Sequence, residues 1–306
     1  MVTVQKRSLR CGLAVAVLLA ASAPAIAAPN DDLSLLPVDS EMVGGLDFQQ
    51  LQASALWKQF VGPMMAKNDV QKEMREFQAQ CGMDPMKVVT KLSFGFKGIG
   101  ADKPDGVVVM HGIDKGKAVA CYDKLVKSGK IGKEAKKDGD VLLFKKDKNQ
   151  AAFTFVGNDT ALFVMGANGT KDGIKAVAKG GSALKTSAAF VELYKKTNTS
   201  DTLWIIMNGS SKAFDAMASL GIKPKAVYGS LNVTKDLNLD VRVRMKSAAD
   251  ATNLSNMMNT QVKAAAGMVD KVTIAADGSD VSVKVLLSDA KLKALATQFG
   301  GMMGKP

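Results

Sequence analysis

Two of the three cysteines, the one histidine and an unusual supply of methionine and lysine are the residues of this chain whose chemistry could define a function. Cys81 and Cys121 each fall on the apolar stripe of a stretch with helical periodicity, the first near the C-terminal end of its stretch and the second nearer the N-terminal end. If those helices pack antiparallel on one sheet face the two positions meet, so a disulfide is expected in an oxidising compartment. Nothing resembles Cys-x-x-Cys, which argues against a redox-active pair.

His111 is the only histidine, and it ends the apolar run from Val107. One histidine, with the cysteines paired, leaves too few ligands for an ordinary zinc site. A Ser-His-Asp triad would have to use His111, and no Gly-x-Ser-x-Gly elbow supplies its partner. Two Ser-x-x-Lys matches, Ser182 with Lys185 and Ser288 with Lys291, lack companion motifs, and Ser288 reads as a helix cap. The Gly98-Ile99-Gly100 start has no third glycine and joins two strands, where a dinucleotide fingerprint would open a helix. No catalytic residue, metal ligand or cofactor is assigned, and His111 is read as structural.

Seventeen methionines include the doublets Met64-Met65, Met257-Met258 and Met302-Met303 and the pair Met83 and Met86. Their scatter suits core filling better than a copper(I) thioether site. A further reading is an adaptable apolar groove for lipid or peptide, walled by the helical stretch from Gln50 to Cys81.

The chain has 41 basic and 29 acidic residues. Only Arg75, Arg242 and Arg244 remain as arginines beyond the first 27 residues, and aromatics are 6% of the chain. Specific nucleic-acid recognition leans on arginine forks and stacking rings, so it is not expected. The densest charge runs from Asp114 to Lys148. There Lys115, Lys117, Lys124, Lys127 and Lys130 lie mostly on the polar side of one helix, and Lys145, Lys146 and Lys148 follow on a hairpin. This is either a solvated face or a patch for an anionic envelope polymer or headgroup.

The elements that must position these residues follow a signal-like leader. Lys6, Arg7 and Arg10 precede an apolar run to about Ala21, and Ala25-Ile26-Ala27 is a small-residue cleavage site, so residues 1–27 read as a signal peptide cut before Ala28. The apolar run is shorter than the ~20 residues that span a bilayer, and no later window approaches that. The expected location is the periplasm or the outside of a bacterial cell.

The remainder reads as α+β in two similar blocks, 28–165 and 201–300, joined by a helical linker over 166–200 and followed by a disordered tail, 301–306. Each block is expected to be an antiparallel sheet with helices on one face, βαββαβ-like, a variant of the ferredoxin-like plan. The strands are Val43–Phe48, Lys91–Lys97, Val107–His111, Val141–Phe144, Ala152–Val156 and Ala161–Met165, then Thr202–Met207, Ala226–Thr234, Leu237–Met245, Val272–Ala275 and Val281–Leu287. Helices are expected over Gln50–Phe60, Asn68–Cys81, Lys115–Ser128, Ser211–Leu220, Ala248–Ala266 and Asp289–Phe299. The shared order, and the likeness of Cys81-Gly82-Met83-Asp84-Pro85 to Leu220-Gly221-Ile222-Lys223-Pro224, reads as a tandem duplication with diverged halves. The function expected is an exported, noncatalytic binding or structural protein of the envelope, with an apolar ligand or anionic envelope component as partner. The alternative is a hydrolase-like enzyme with an unrecognised site.

Overall fold

Asp47 closes the first strand, β1 (Met42–Asp47), and its carboxylate at once accepts the Gln50 amide at 2.9 Å, opening helix α1 (Phe48–Ala53). This is an ordinary N-cap. The single helix predicted over Gln50–Phe60 is broken at Ser54, a fully buried residue. Its hydroxyl donates to the Leu51 carbonyl at 2.6 Å and accepts the Trp57 amide at 3.0 Å, an alternative to the helical ladder. A wider turn, Trp57–Val61, and the short helix α2 (Gly62–Met65) follow. Helix α3 (Asn68–Cys81) ends where Gly82 takes φ 65°, the left-handed cap that glycine supplies.

Strands β2 (Lys91–Lys97) and β3 (Asp105–His111) precede helix α4 (Lys115–Lys127), which Asp114 caps by accepting the Lys117 amide at 2.8 Å. Four strands come next: β4 (Ala135–Asp138), β5 (Val141–Lys146), β6 (Asn149–Phe155) and β7 (Thr160–Met165). The 166–200 segment contains α5 (Lys171–Ala178) and α6 (Ala188–Lys195). The second half comprises β8 (Leu203–Asn208), α7 (Asp215–Ser219), β9 (Ala226–Asn232), β10 (Leu237–Arg244), α8 (Ala248–Val262), β11 (Lys271–Asp277) and β12 (Asp280–Leu287), after which 289–295 are helical.

This computed structural model describes residues 32–99, 104–130, 134–147, 149–219, 221–262 and 267–295. The expected signal peptide over 1–27, Lys148, residues 263–266 and 296–299 of the helices expected there, and the expected tail over 301–306 lie outside the described residues.

All twelve strands join one antiparallel sheet in the order β11-β12-β10-β9-β8-β1-β2-β3-β7-β6-β5-β4. The two blocks therefore share a sheet, and the described residues from Asp32 onward belong to one compact unit. Their seam is the β1–β8 pair, in register from Met42 opposite Met207 to Leu46 opposite Leu203. Outward from it, β1-β2-β3-β7-β6 on one side has the pairing order of β8-β9-β10-β12-β11 on the other. The first half adds the hairpin β4–β5. In this order the Asp277-Gly278 turn corresponds to the Gly157-Asn158-Asp159 turn between β6 and β7, while Asp138-Gly139 closes the added hairpin.

Register assigns the side chains to two faces. One carries Val43, Val107, Val109, Leu162, Val164, Trp204, Ile206 and Tyr228, packed against Leu36, Ile174, Leu184, Phe190 and Leu193. The 166–200 segment thus supplies a helical layer over the main core. Burying a leucine- or isoleucine-sized side chain there stabilises by about 1.5–3 kcal/mol. On the opposite face, α8 sets Ala251 and Leu254 against Val243 and Val281.

Candidate functional site

Strands that are apolar at both parities need cover on both faces. β7 is such a strand, Thr-Ala-Leu-Phe-Val-Met, and so are its neighbours. Phe94 and Phe96 on β2, Val108 and Met110 on β3, Phe153 on β6 and Phe163 on β7 all face away from the main core, and all are half-buried. α3 and α4 pack on one another instead of along these strands, unlike α8, which lies on β11 and β12. The result is an apolar sheet surface with little helix over it.

At the end of that surface next to the β5–β6 connection is an open concavity of about 780 Å³. Phe144, Ala151, Phe163 and Met165, neighbours across β5, β6 and β7, form its floor. Lys146 and Glu134 stand at its rim, and Lys145, next along β5 with its side chain alternating to the other face, borders it; all three are exposed. Asp105 also borders it, but accepts the Ala167 amide at 2.6 Å. An apolar floor with a cationic side chain at the mouth suits an amphiphile with an anionic head. Lys145 and Lys146 are two of the lysines singled out in the sequence. The floor residues were not singled out, although the doubly apolar pattern of β7 signals them.

The remaining lysines follow α4. The Lys115 amide donates to the Asn158 carbonyl at 2.9 Å, at the β6–β7 turn, whereas Lys146 pairs with Asn149 at the other end of β6. Six residue steps along β6 separate the two sites, about 20 Å. Lys117, Lys124, Lys127 and Lys130 are exposed, with Lys124 donating to the Gln80 carbonyl at 3.2 Å and Lys130 3.7 Å from Glu76. Four residues beyond Lys130, the Glu134 carbonyl accepts the Lys145 amide at 2.9 Å. The lysines thus form a track along α4 leading towards the concavity, not one patch.

Cys81, the last residue of α3, and Cys121 on α4 lie at disulfide distance, with Cα atoms 4.5 Å apart. They are buried with Met83 against Phe77, Val88, Ala118 and Leu125. Met245 and Met258 belong to the α8 cluster, while Met64, Met257 and Met268 are exposed.

His111 gathers two residues that sequence reasoning missed. Its Nε2 is 3.0 Å from both carboxylate oxygens of Asp32, and its Nδ1 is 3.2 Å from Thr160 Oγ1. Thr160 also donates to Asp159 at 3.0 Å. The hydrogen bond to Asp32 holds the His111 pKa above its ordinary value, outweighing its partial burial. The order hydroxyl, imidazole, carboxylate is that of a hydrolase triad, but Thr160 is 1% exposed and has no access to a substrate. Both Ser-x-x-Lys serines are caps: Ser182 Oγ accepts the Leu184 amide at 3.3 Å and Ser288 Oγ the Lys291 amide at 3.3 Å.

A second buried polar group centres on Asp280. It accepts from Tyr228 at 2.8 Å, from Arg244 through Nη2 at 3.0 Å and through Nε, and from Lys196 at 3.3 Å. Arg244 also reaches Glu192 at 2.9 Å. Burial alone would raise the Asp280 pKa, but the Arg244 and Tyr228 hydrogen bonds hold it below the usual carboxylate value. Tyr228 is pushed up to about 12, by burial first and by Asp280 second. With every group partnered, the cluster ties α6 to β9, β10 and β12. Among the described residues no group of three or more His, Cys, Asp and Glu side chains could hold a metal ion, and no helix is long and apolar enough to cross a membrane.

No family profile and no curated protein matches this chain. Solved structures do. Crystal form III of TP0453 matches with a TM-score of 0.51 at 6% identity, covering 87% of this chain and 97% of that one. Crystal form I matches with a TM-score of 0.50 at 7% identity over 88% and 97% of the two chains. At this identity the likeness shows the fold alone: an α+β plan with an antiparallel sheet and helices.

Proposed function

We propose that this chain is an exported, noncatalytic binding protein of the bacterial envelope, and that the concavity over Phe144, Ala151, Phe163 and Met165 receives the apolar part of a ligand whose anionic head meets Lys146. The observation that carries this reading is the apolar floor with Lys146 at its mouth. The signal-like leader and a cysteine pair at disulfide distance agree with an oxidising compartment outside the cytoplasm.

Native mass spectrometry of the chain recovered from the periplasm of its own host tests the proposal. A co-purified amphiphile is expected, and a fluorescent fatty acid should bind the stripped protein in competition with it. Phe163→Asp puts a carboxylate on the floor and should abolish binding. Lys146→Glu should weaken binding and remove most of its salt dependence, whereas Lys145→Glu should change both less. A bare chain that binds no fatty acid in either form would sink the reading. The hydrolase alternative has one observation in its favour, the Asp32, His111 and Thr160 chain, and the burial of Thr160 weighs against it.

A further inference from the structure

The sheet ends on β4 at one side and on β11 at the other. β4 has four residues, two of them the adjacent lysines Lys136 and Lys137, which is how exposed edges are commonly blunted. β11 is different. It is seven residues long, and its side chains from Val272 to Ala276 carry no charge.

We propose that β11 is a homodimerisation edge, on which two copies of the chain pair antiparallel about a two-fold axis at Ile274 and continue the sheet from one copy into the next. Hydrogen-bond parity is the first argument. Asp277 lies opposite Asp280 across the two-residue turn Gly278-Ser279, so Asp277, Ala275 and Thr273 turn their backbone groups towards β12. Val272, Ile274 and Ala276 therefore point their N–H and C=O groups outward. The Ile274 carbonyl confirms this, because it accepts Asn259 Nδ2 at 3.2 Å from beside the edge. Pairing about Ile274 sets Ile274 against its own copy and Val272 against Ala276 twice, so outward groups meet outward groups at every such position.

Charge is the second argument. The same register sets Lys271 opposite Asp277 at both ends, on one face of the sheet. Both are exposed, and neither has an ion-pair partner among the described residues. Sliding the axis to Val272 or Ala276 instead puts Lys271 against Thr273 or Asp277 against Ala275 and forfeits both ion pairs. Along the same edge α8 presents Thr252, Asn256 and Asn259, which are exposed, polar and uncharged, so two copies bring no like charges together there. Asn259 holds the Ile274 carbonyl in the single copy and gives it up when edges pair.

Sedimentation velocity over a hundredfold concentration range tests the interface on the purified chain. A monomer–dimer equilibrium is expected. Lys271→Glu alone and Asp277→Lys alone should each weaken it about tenfold, and the two together in one chain should restore it. Ala276→Pro removes an N–H that β12 does not use, so it should abolish the dimer while the circular dichroism of the monomer stays unchanged. A chain that stays monomeric throughout, a dimer that survives Ala276→Pro, or a charge swap that recovers nothing would overturn the proposal.

Discussion

Arg244 on β10 and Asp280 on β12 stand directly opposite one another, and the guanidinium donates twice to a carboxylate that is 3% exposed. With Tyr228 and Lys196 donating to the same carboxylate, three groups from β9, β10 and the end of α6 share one buried anion on β12. Because α6 enters through Lys196 and Glu192, the cluster fixes the helical layer to the second half of the sheet.

Removing the anion leaves the buried Arg244 guanidinium with only the exposed Glu192 as counter-charge, and breaking a buried pair of this kind costs about 3–5 kcal/mol. Asp280→Ala should therefore lower the melting temperature by roughly 10 °C, at 2–4 °C per kcal/mol for a chain of this size class. Asp280→Asn keeps an acceptor and should cost less. It should also let Tyr228 ionise at lower pH than about 12, which ultraviolet titration of the three tyrosines reads directly. Equal stability of Asp280→Ala and the parent would show that the cluster contributes nothing.

The Cys81–Cys121 pair spans a sequence separation of 40 residues. In the chain-entropy model a bond closing such a loop contributes about 4 kcal/mol. A Cys81→Ser, Cys121→Ser variant should show a lower urea midpoint, and the parent in strong reductant should shift to match it. Since the loop runs through β2 and β3 to α4, the loss should first loosen α3 from α4, seen as faster amide exchange in α3 than in β7. Two free thiols in the denatured, unreduced chain would refute the bond.

Much of this architecture was legible in the residues. The helix expected over Asn68–Cys81 and the strand expected over Lys91–Lys97 both took those bounds, α3 stopping where Gly82 supplies the left-handed cap. The break at Ser54 was not legible, because it depends on a hydroxyl being buried where only tertiary packing can put it. The 166–200 segment read as a joint because its helices are short; their apolar residues gain meaning only once β8 and β9 extend the sheet beneath them. The concavity was half legible. Lys145 and Lys146 were visible as charge, and the doubly apolar pattern of β7 says that both faces want cover, but not which face goes without a helix.

His111 binds Asp32 on one ring nitrogen and Thr160 on the other, tying the start of the described chain to β3 and β7. Its folded pKa is raised, with the Asp32 hydrogen bond as the first cause. A raised pKa means the folded state holds the proton more tightly, so the contribution is complete below the unfolded value of about 6.5 and is lost as pH rises through the folded value. The partial exposure of His111 limits it to the order of 1 kcal/mol. His111→Gln should flatten the decline in stability above neutral pH that the parent shows in urea titrations. A parent curve that does not decline there would exclude this role.

Gly44 sits on β1 at the seam between the two halves, opposite Ile205 on β8 and Phe94 on β2. The Phe94 ring folds over it. A Cβ at this position would lie 2.5 Å from the ring and 2.7 Å from the Trp204 carbonyl oxygen. The ring can swing, but the carbonyl belongs to a strand held on both sides, so Gly44→Ala must shift the β1–β8 ladder itself. Overpacking of this kind costs about 1–3 kcal/mol. Gly82→Ala makes no contact within 4 Å and is strained only by its φ of 65°, costing about 1 kcal/mol. The comparison separates crowding from backbone strain: Phe94→Leu should rescue part of the Gly44→Ala loss and none of the Gly82→Ala loss. Denaturant unfolding of the three single and two double variants reads this as a coupling energy, and a Gly44→Ala chain as stable as the parent would mean that the seam tolerates spreading.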